Sequence, residues 1–245
     1  NEMLYLSVDS PLPESLDVAV EYQARLWGPA GSVGEPPPTA GELARDLQPR
    51  GLVIIDEEVR ARAQQATSGH RTVIERARGI YDDVIRRVAY DKSVPGWGRG
   101  DTRRVCLLGK GNCTDFHSLF ISMARAARVP ARFKIGVVIP QAPSGVVPGY
   151  HCWAEFYEAR RGWVPVDASE AWKRPGLADY YFGAHDPSRF LISVGRDIQL
   201  MPRSQNGPVN MFFYPHVEVD GQVLDGVETA FRFRDLQPGG DAWQG

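Results

Sequence analysis

The clearest pattern in the chain is the helical recurrence of apolar positions in HRTVIERARGIYDDVIRRVAYD, residues 70–91. Val73, Ile74, Ala77, Ile80, Tyr81, Val84, Ile85 and Val88 share one face, and arginines and aspartates fill the other, which predicts a helix packed on a core. DEEVRARAQQAT, 56–67, predicts a shorter helix with acids in its first turn. After the Gly- and Pro-rich loop VPGWGRGDTR, the segment opening at Cys113 carries Phe116, Leu119, Phe120, Met123, Ala124 and Ala127 as one broad stripe. That breadth predicts a helix buried on most sides and ended ahead of Pro130. From residue 131 the period changes to two. ARFKIGVVI, YHCWAEFYEA and GWVPVDA read as strands, with DPSRFLISV and NMFFYPHVEVDGQV as later candidates. Helices first and strands second predict an α+β fold with an antiparallel sheet.

The start of the chain is less regular. MLYLSV and SLDVAVEYQARLW predict a strand or two and a short helix, and GPAGSVGEPPPTAG, 28–41, a long loop. The expected division is an N-terminal extension over 1–50, one main domain over 51–237 and a tail over 238–245. No internal repeat is visible. Hydrophobic residues at 43% suffice for a core, and a net charge of −2 with mixed signs argues against a nucleic-acid partner. No apolar run approaches the roughly 18 residues of a membrane span. The opening NEMLYLSVDS lacks the regions of a signal peptide, while the missing initiator Met fits a processed or truncated form and keeps an exported origin, periplasmic or secreted, weakly open without excluding a cytoplasmic one. Cys106, Cys113 and Cys152 cannot all pair; three free thiols are expected ahead of a Cys106–Cys152 bridge.

A cysteine at a helix start sits at the positive end of the helix dipole, beside N–H groups with no intrahelical partner. Such a site lowers a thiol pKa and supplies oxyanion donors, yet a buried structural thiol is an equally ordinary outcome. The downstream hairpin weighs on the choice. Strand alternation puts His151, Trp153, Glu155 and Tyr157 on one face, with Cys152 on the other. A three-residue loop centred on Arg160 pairs Trp153 with Asp167 and makes His151 its diagonal neighbour, within reach of an imidazole–carboxylate hydrogen bond. A two-residue loop would put Asp167 on the wrong face, so an odd loop, or a bulge near Pro165, is expected. Cys152 then faces away from His151 as a bystander.

Together GNCTDFHSLFISMARAARVPAR, GYHCWAEFY and GWVPVDAS resemble the bacterial branch of the transglutaminase-like cysteine-protease superfamily, over about residues 52–200. The resemblance implies a papain-like core and a catalytic triad of Cys113, His151 and Asp167. It implies a cysteine-dependent acyl-transfer enzyme working through a thioester on peptide or glutamine-type amides, with hydrolysis expected ahead of transamidation. A non-catalytic peptide-binding module is the reading from another class. The expected partner is a peptide or protein substrate, with no cofactor and no metal, since no Cys/His pair has zinc spacing and no acidic loop suits calcium. Trp97 is a candidate oxyanion donor, as a tryptophan is in some relatives. His117, one helical turn after Cys113, is expected to support or pack rather than act as base. Trp153 and Glu155 are candidates for lining the cleft or packing its wall.

Overall fold

The computed structural model describes residues 1–11, 13–26 and 35–236. Its helices are α1 (Ala40–Arg45), α2 (Glu57–Ala66), α3 (Val73–Arg87), α4 (Thr102–Leu108), α5 (Cys113–Ala126) and α6 (Ala168–Lys173). Its longer strands are β3 (Ala131–Val138), β5 (His151–Glu158), β6 (Gly162–Val166) and β7 (Arg189–Val194). Short pairs complete it: β1 (Ala89–Tyr90) with β2 (Lys110–Gly111), β4 (Ser144–Val146) with β10 (Arg232–Arg234), and β8 (Glu218–Val219) with β9 (Gln222–Val223). The main sheet is antiparallel in the order β6-β5-β3-β7. It is the α+β arrangement that the change of hydrophobic period predicts.

Helix α5 lies between the sheet and helices α2, α3 and α4. Every residue from Cys113 to Arg125 is buried, wider than the six-residue stripe predicts. The polar side chains among them all have partners, as burial requires. Thr102 and Ser122 share a hydrogen bond of 2.8 Å. Arg125 donates to the carbonyls of Ala131 and Gln48. Arg196 reaches from beyond β7 to the Ser118 hydroxyl.

The start of α5 is fixed from three directions. Asn112 caps it, taking the Thr114 N–H on Oδ1 at 2.9 Å. Asp115 closes a capping box on the Asn112 N–H at 2.9 Å and also accepts from Gly98 and Gly100, at 2.7 and 3.1 Å. The parallel β1–β2 pair holds the residues just before the cap. Gly111 is required here, since a Cβ on it would fall 2.2 Å from Asp115 Oδ2.

The β5–β6 register runs from Glu158↔Gly162 to Ala154↔Val166. The three-residue loop centred on Arg160 is therefore present, and continuing the register sets Asp167 opposite Trp153. The strands and short helix expected near the N-terminus do not form among the described residues. Described residues of 1–26 form neither helix nor strand, and all but Met3 are exposed. They touch the β7 region at separate points: the Asn1 amide accepts from the Val194 N–H and donates to its C=O, both at 2.8 Å, and the Tyr22 ring packs on Phe190 with centroids 5.9 Å apart. Of the 28–41 loop, 28–34 lie outside the described residues, and α1 starts at Ala40 behind a Thr39 capping box. The tail at 238–245 lies outside them too. NMFFYPHVEVDGQV yields only the β8–β9 hairpin, because Phe213 turns into the core and Pro215 has no N–H for a ladder. Helix α4 has no counterpart in the sequence reading. Among the described residues no helix is long and apolar enough to cross a membrane.

Asp115→Ala removes one acceptor from three backbone donors. Two of the three, Gly100 and Asn112, are buried; at about 1–3 kcal/mol for each buried group left unsatisfied, we expect a loss of at least about 2 kcal/mol in urea denaturation. A loss below about 1 kcal/mol would show that the loop holds itself.

Candidate active site

Cys113 is the first residue of α5 and is 2% exposed. His151 opens β5, and its Nε2 lies 2.6 Å from Asp167 Oδ2. With Nε2 engaged there, Nδ1 is the nitrogen left for the hydrogen bond between the imidazole and Cys113. The structure thus brings Cys113, His151 and Asp167 together through the helix start, the strand start and the hairpin register.

Asp167 is fully buried and does several jobs at once. It caps α6, its Oδ1 accepting from the Glu170 N–H at 2.9 Å and the Ser169 hydroxyl at 2.8 Å. Its Oδ2 faces His151 and, at 2.7 Å, Nη1 of Arg189. The Arg189 side chain is also wholly buried, and its N–H directions miss good hydrogen-bond lines, so the contact is a close ion pair. Its guanidinium lies 5.3 Å from the Trp153 ring centre. Burial alone would raise the Asp167 pKa, but the charges of His151 and Arg189 hold it well below the ordinary carboxylate range.

Those charges propagate to the sulfur. Burial disfavours the His151 cation, yet the Asp167 charge and hydrogen bond, with Cys113, raise its pKa to about 9. The Cys113 thiol is held well below its ordinary value, first by a hydrogen bond from Cys152, against burial, and then by His151. Cys152 moves the other way, since burial and the neighbouring Cys113 charge keep its proton on. The two sulfurs and the imidazole therefore favour a thiolate–imidazolium pair beside a neutral donor thiol.

Cys152 is thus not the bystander expected. Alternation turns it away from His151, but that is the face on which α5 packs. Its sulfur lies 3.6 Å from Thr114 Oγ1 and 3.9 Å from His117 Nδ1. All three cysteines are free and buried, and burial pushes Cys106 up to about 11.

His117 is completely buried, and its Nε2 accepts the Ala168 N–H at 3.1 Å. Burial lowers its pKa, so the ring is neutral with its proton on Nδ1. Its approach of 3.5 Å to Asp167 Oδ1 is then a contact between two acceptors. Trp153 and Glu155 are buried in the wall rather than facing open cleft. The Trp153 ring stacks near His151 with centroids 6.5 Å apart, and Glu155 pairs with Arg132 at 2.7 Å and Lys134 at 2.9 Å. Trp97 is 39% exposed, with the Lys92 ammonium 5.3 Å from its ring centre. Among the described residues, no group of three or more His, Cys, Asp or Glu side chains is arranged to hold a metal.

Two residues in contact with this site were not singled out by sequence. Arg189 read as the ordinary start of an apolar strand, and nothing local marks a buried guanidinium. Tyr150 sits just before His151, and its hydroxyl accepts from Asn112 Nδ2 at 2.8 Å.

Comparison with known proteins agrees with the resemblance. Residues 60–168 match the transglutaminase-like superfamily. An uncharacterized protein of Haemophilus influenzae is 31% identical over 188 residues, 63% of this chain and 51% of that protein. The chain thus spans about half the length of that curated relative. The crystal structure of a candidate cysteine protease from Cytophaga hutchinsonii has a TM-score of 0.53 at 18% identity, covering 85% of this chain and 61% of that one. The periplasmic domain of TgpA from Pseudomonas aeruginosa has a TM-score of 0.43 at 20% identity, over 58% of this chain and 51% of that one. The mixed architecture of helices packed on an antiparallel sheet is the fold that the chain shares with the Cytophaga hutchinsonii structure.

Replacing Arg189 with Met should leave the buried Asp167 with one cation fewer. Breaking such a pair costs about 3–5 kcal/mol, which denaturant titration at neutral pH would read. A change within about 0.5 kcal/mol would mean that Arg189 does not balance the Asp167 charge.

Proposed function

We propose that the protein is a cysteine-dependent acyl-transfer enzyme in which Cys113 is the nucleophile, His151 the acid–base and Asp167 the residue that orients and charges His151. The observation that carries this reading is the 2.6 Å His151–Asp167 contact, which leaves the other imidazole nitrogen to a thiol at a helix start. The Cys113 thiolate attacks the amide carbonyl carbon, and the carbonyl π electrons move onto oxygen. The Cys113 N–H, which no acceptor takes among the described residues, supports an oxyanion site at the helix terminus. His151 then gives its proton to the leaving nitrogen as the C–N bond breaks, producing an amine and a thioester. A water molecule, deprotonated by neutral His151, attacks the thioester and releases a carboxylic acid and the Cys113 thiolate with His151 protonated again.

Hydrolysis is favoured over transamidation by the confinement of the sulfur. At 2% exposure the approach admits water more easily than the amine of a second protein. The decisive assay offers a peptide-amide library with and without a primary amine and reads products by mass. Free acids are expected in both arms, and Cys113→Ala should abolish them. Amine adducts would assign transamidation, and peptide binding without turnover would assign a binding module.

The pH dependence follows from the pair. His151 must be protonated to release the amine, so kcat/KM should fall as pH rises through about 9. The acidic limb should lie well below the range of an ordinary thiol, because Cys113 is held low. A rate that keeps climbing through pH 9 would show a neutral thiol that ionises late, contrary to the proposed pair.

A further inference from the structure

Tyr150 makes contacts in two directions. Its hydroxyl bonds to Asn112 and lies 3.3 Å from Thr114 Oγ1, so it grips the residues on both sides of Cys113. Its ring packs on Phe213, with centroids 5.6 Å apart, and meets Tyr214 edge-on at 6.5 Å. At that ring is a cavity of about 200 Å³ whose walls include Ile135, Val209, Met211, Phe213 and Tyr214. Ile135 is the cross-strand partner of Cys152, and Tyr150 holds the residues on both sides of Cys113, so two of the residues lining the cavity belong to the frame around Cys113. Tyr214 is 52% exposed, which leaves the cavity accessible from the surface.

Size and lining decide what fits. The volume is below the roughly 300–1,000 Å³ of a pocket for a drug-sized molecule. It exceeds the roughly 150 Å³ of an apolar cavity that admits benzene. One large side chain is the right scale. His216, the histidine on the wall, is already paired through Nε2 with Glu218 at 2.8 Å. A charged side chain entering would lose water against aliphatic and aromatic walls without gaining a counter-ion.

We propose that this cavity is a specificity subsite that takes a large apolar side chain, aromatic or branched aliphatic, from the acyl donor beside the carbonyl attacked by Cys113. The assignment rests on the acyl-transfer reading above. It makes the substrate class a peptide or amide with a bulky hydrophobic residue near the reacting bond.

The test is a peptide-amide library varied one position at a time around the cleaved bond. At one position the wild type should prefer Phe, Leu or Met over Ala, Asp or Lys by about ten- to a hundredfold in kcat/KM, the range expected for burying such a side chain. Met211→Trp, which fills the cavity, should abolish that preference by lowering kcat/KM for the Phe, Leu and Met donors about ten- to a hundredfold, towards that of the Ala donor. Val209→Phe is the second filling variant should the first not fold. For both variants, circular dichroism and the alkylation rate of Cys113 should match the wild type. A flat or charge-preferring wild-type profile, or a preference unchanged by folded filling variants, would overturn the subsite while Cys113-dependent turnover still upheld the chemistry. Failure of wild type to turn over any donor, with Cys113 alkylated no faster than a cysteine peptide at pH 6, would overturn both.

Discussion

The structure depends on one constraint: α5 is buried on every side, so each of its polar side chains must find a partner inside the protein. Those partners are the segments that build the site. Asp115 gathers the backbone of the 98–100 loop, Ser118 takes Arg196, Ser122 takes Thr102, and His117 takes the N–H that begins α6. An unsatisfied group at any of these places would cost about 1–3 kcal/mol. The helix therefore arranges its surroundings through hydrogen bonds whose loss is expensive. Cys113 sits at its first turn, where that arrangement is densest.

Charge is organised around the same point. Asp167 lies between two cations, His151 and Arg189, in a fully buried position. Its anionic form raises the His151 pKa, and the His151 cation in turn favours the Cys113 thiolate. Cys152 adds a neutral donor to that sulfur, kept protonated by its burial and by the neighbouring charge. The energetic consequence can be signed. His151, raised above its unfolded value near 6.5, contributes stability fully present below about pH 6.5 and lost as pH rises through about 9. Asp167, depressed below its unfolded value near 3.9, contributes stability above that value and loses it as pH falls through its lower folded pKa.

Much of this was legible in the sequence because parity is a strong constraint. One odd-numbered loop puts Asp167 on the His151 face, and a slip of one residue would put it on the other side. The buried helix was legible from its stripe, although not its burial from all sides, since that depends on what packs against Thr114, His117 and Ser118. Cys152 illustrates information present but not joined. Alternation turned it from His151, and the apolar face it occupied was the one that had to receive α5. Arg189 could not be found that way, because its partners come from other elements and its strand looks ordinary. The alternating apolar residues near the N-terminus misled for a related reason, since a strand pattern without a neighbouring edge makes no sheet.

The central claim is that Cys113 is a thiolate held by both His151 and Cys152. The direct measurement is the pH titration of thiolate ultraviolet absorbance in the wild-type protein minus that in Cys113→Ser, repeated with His151→Gln and Cys152→Ala backgrounds. The account predicts a Cys113 transition well below the ordinary thiol value of about 8.5, moved upward by each background substitution. A transition at or above the ordinary value in the wild type, or one indifferent to both substitutions, would contradict it.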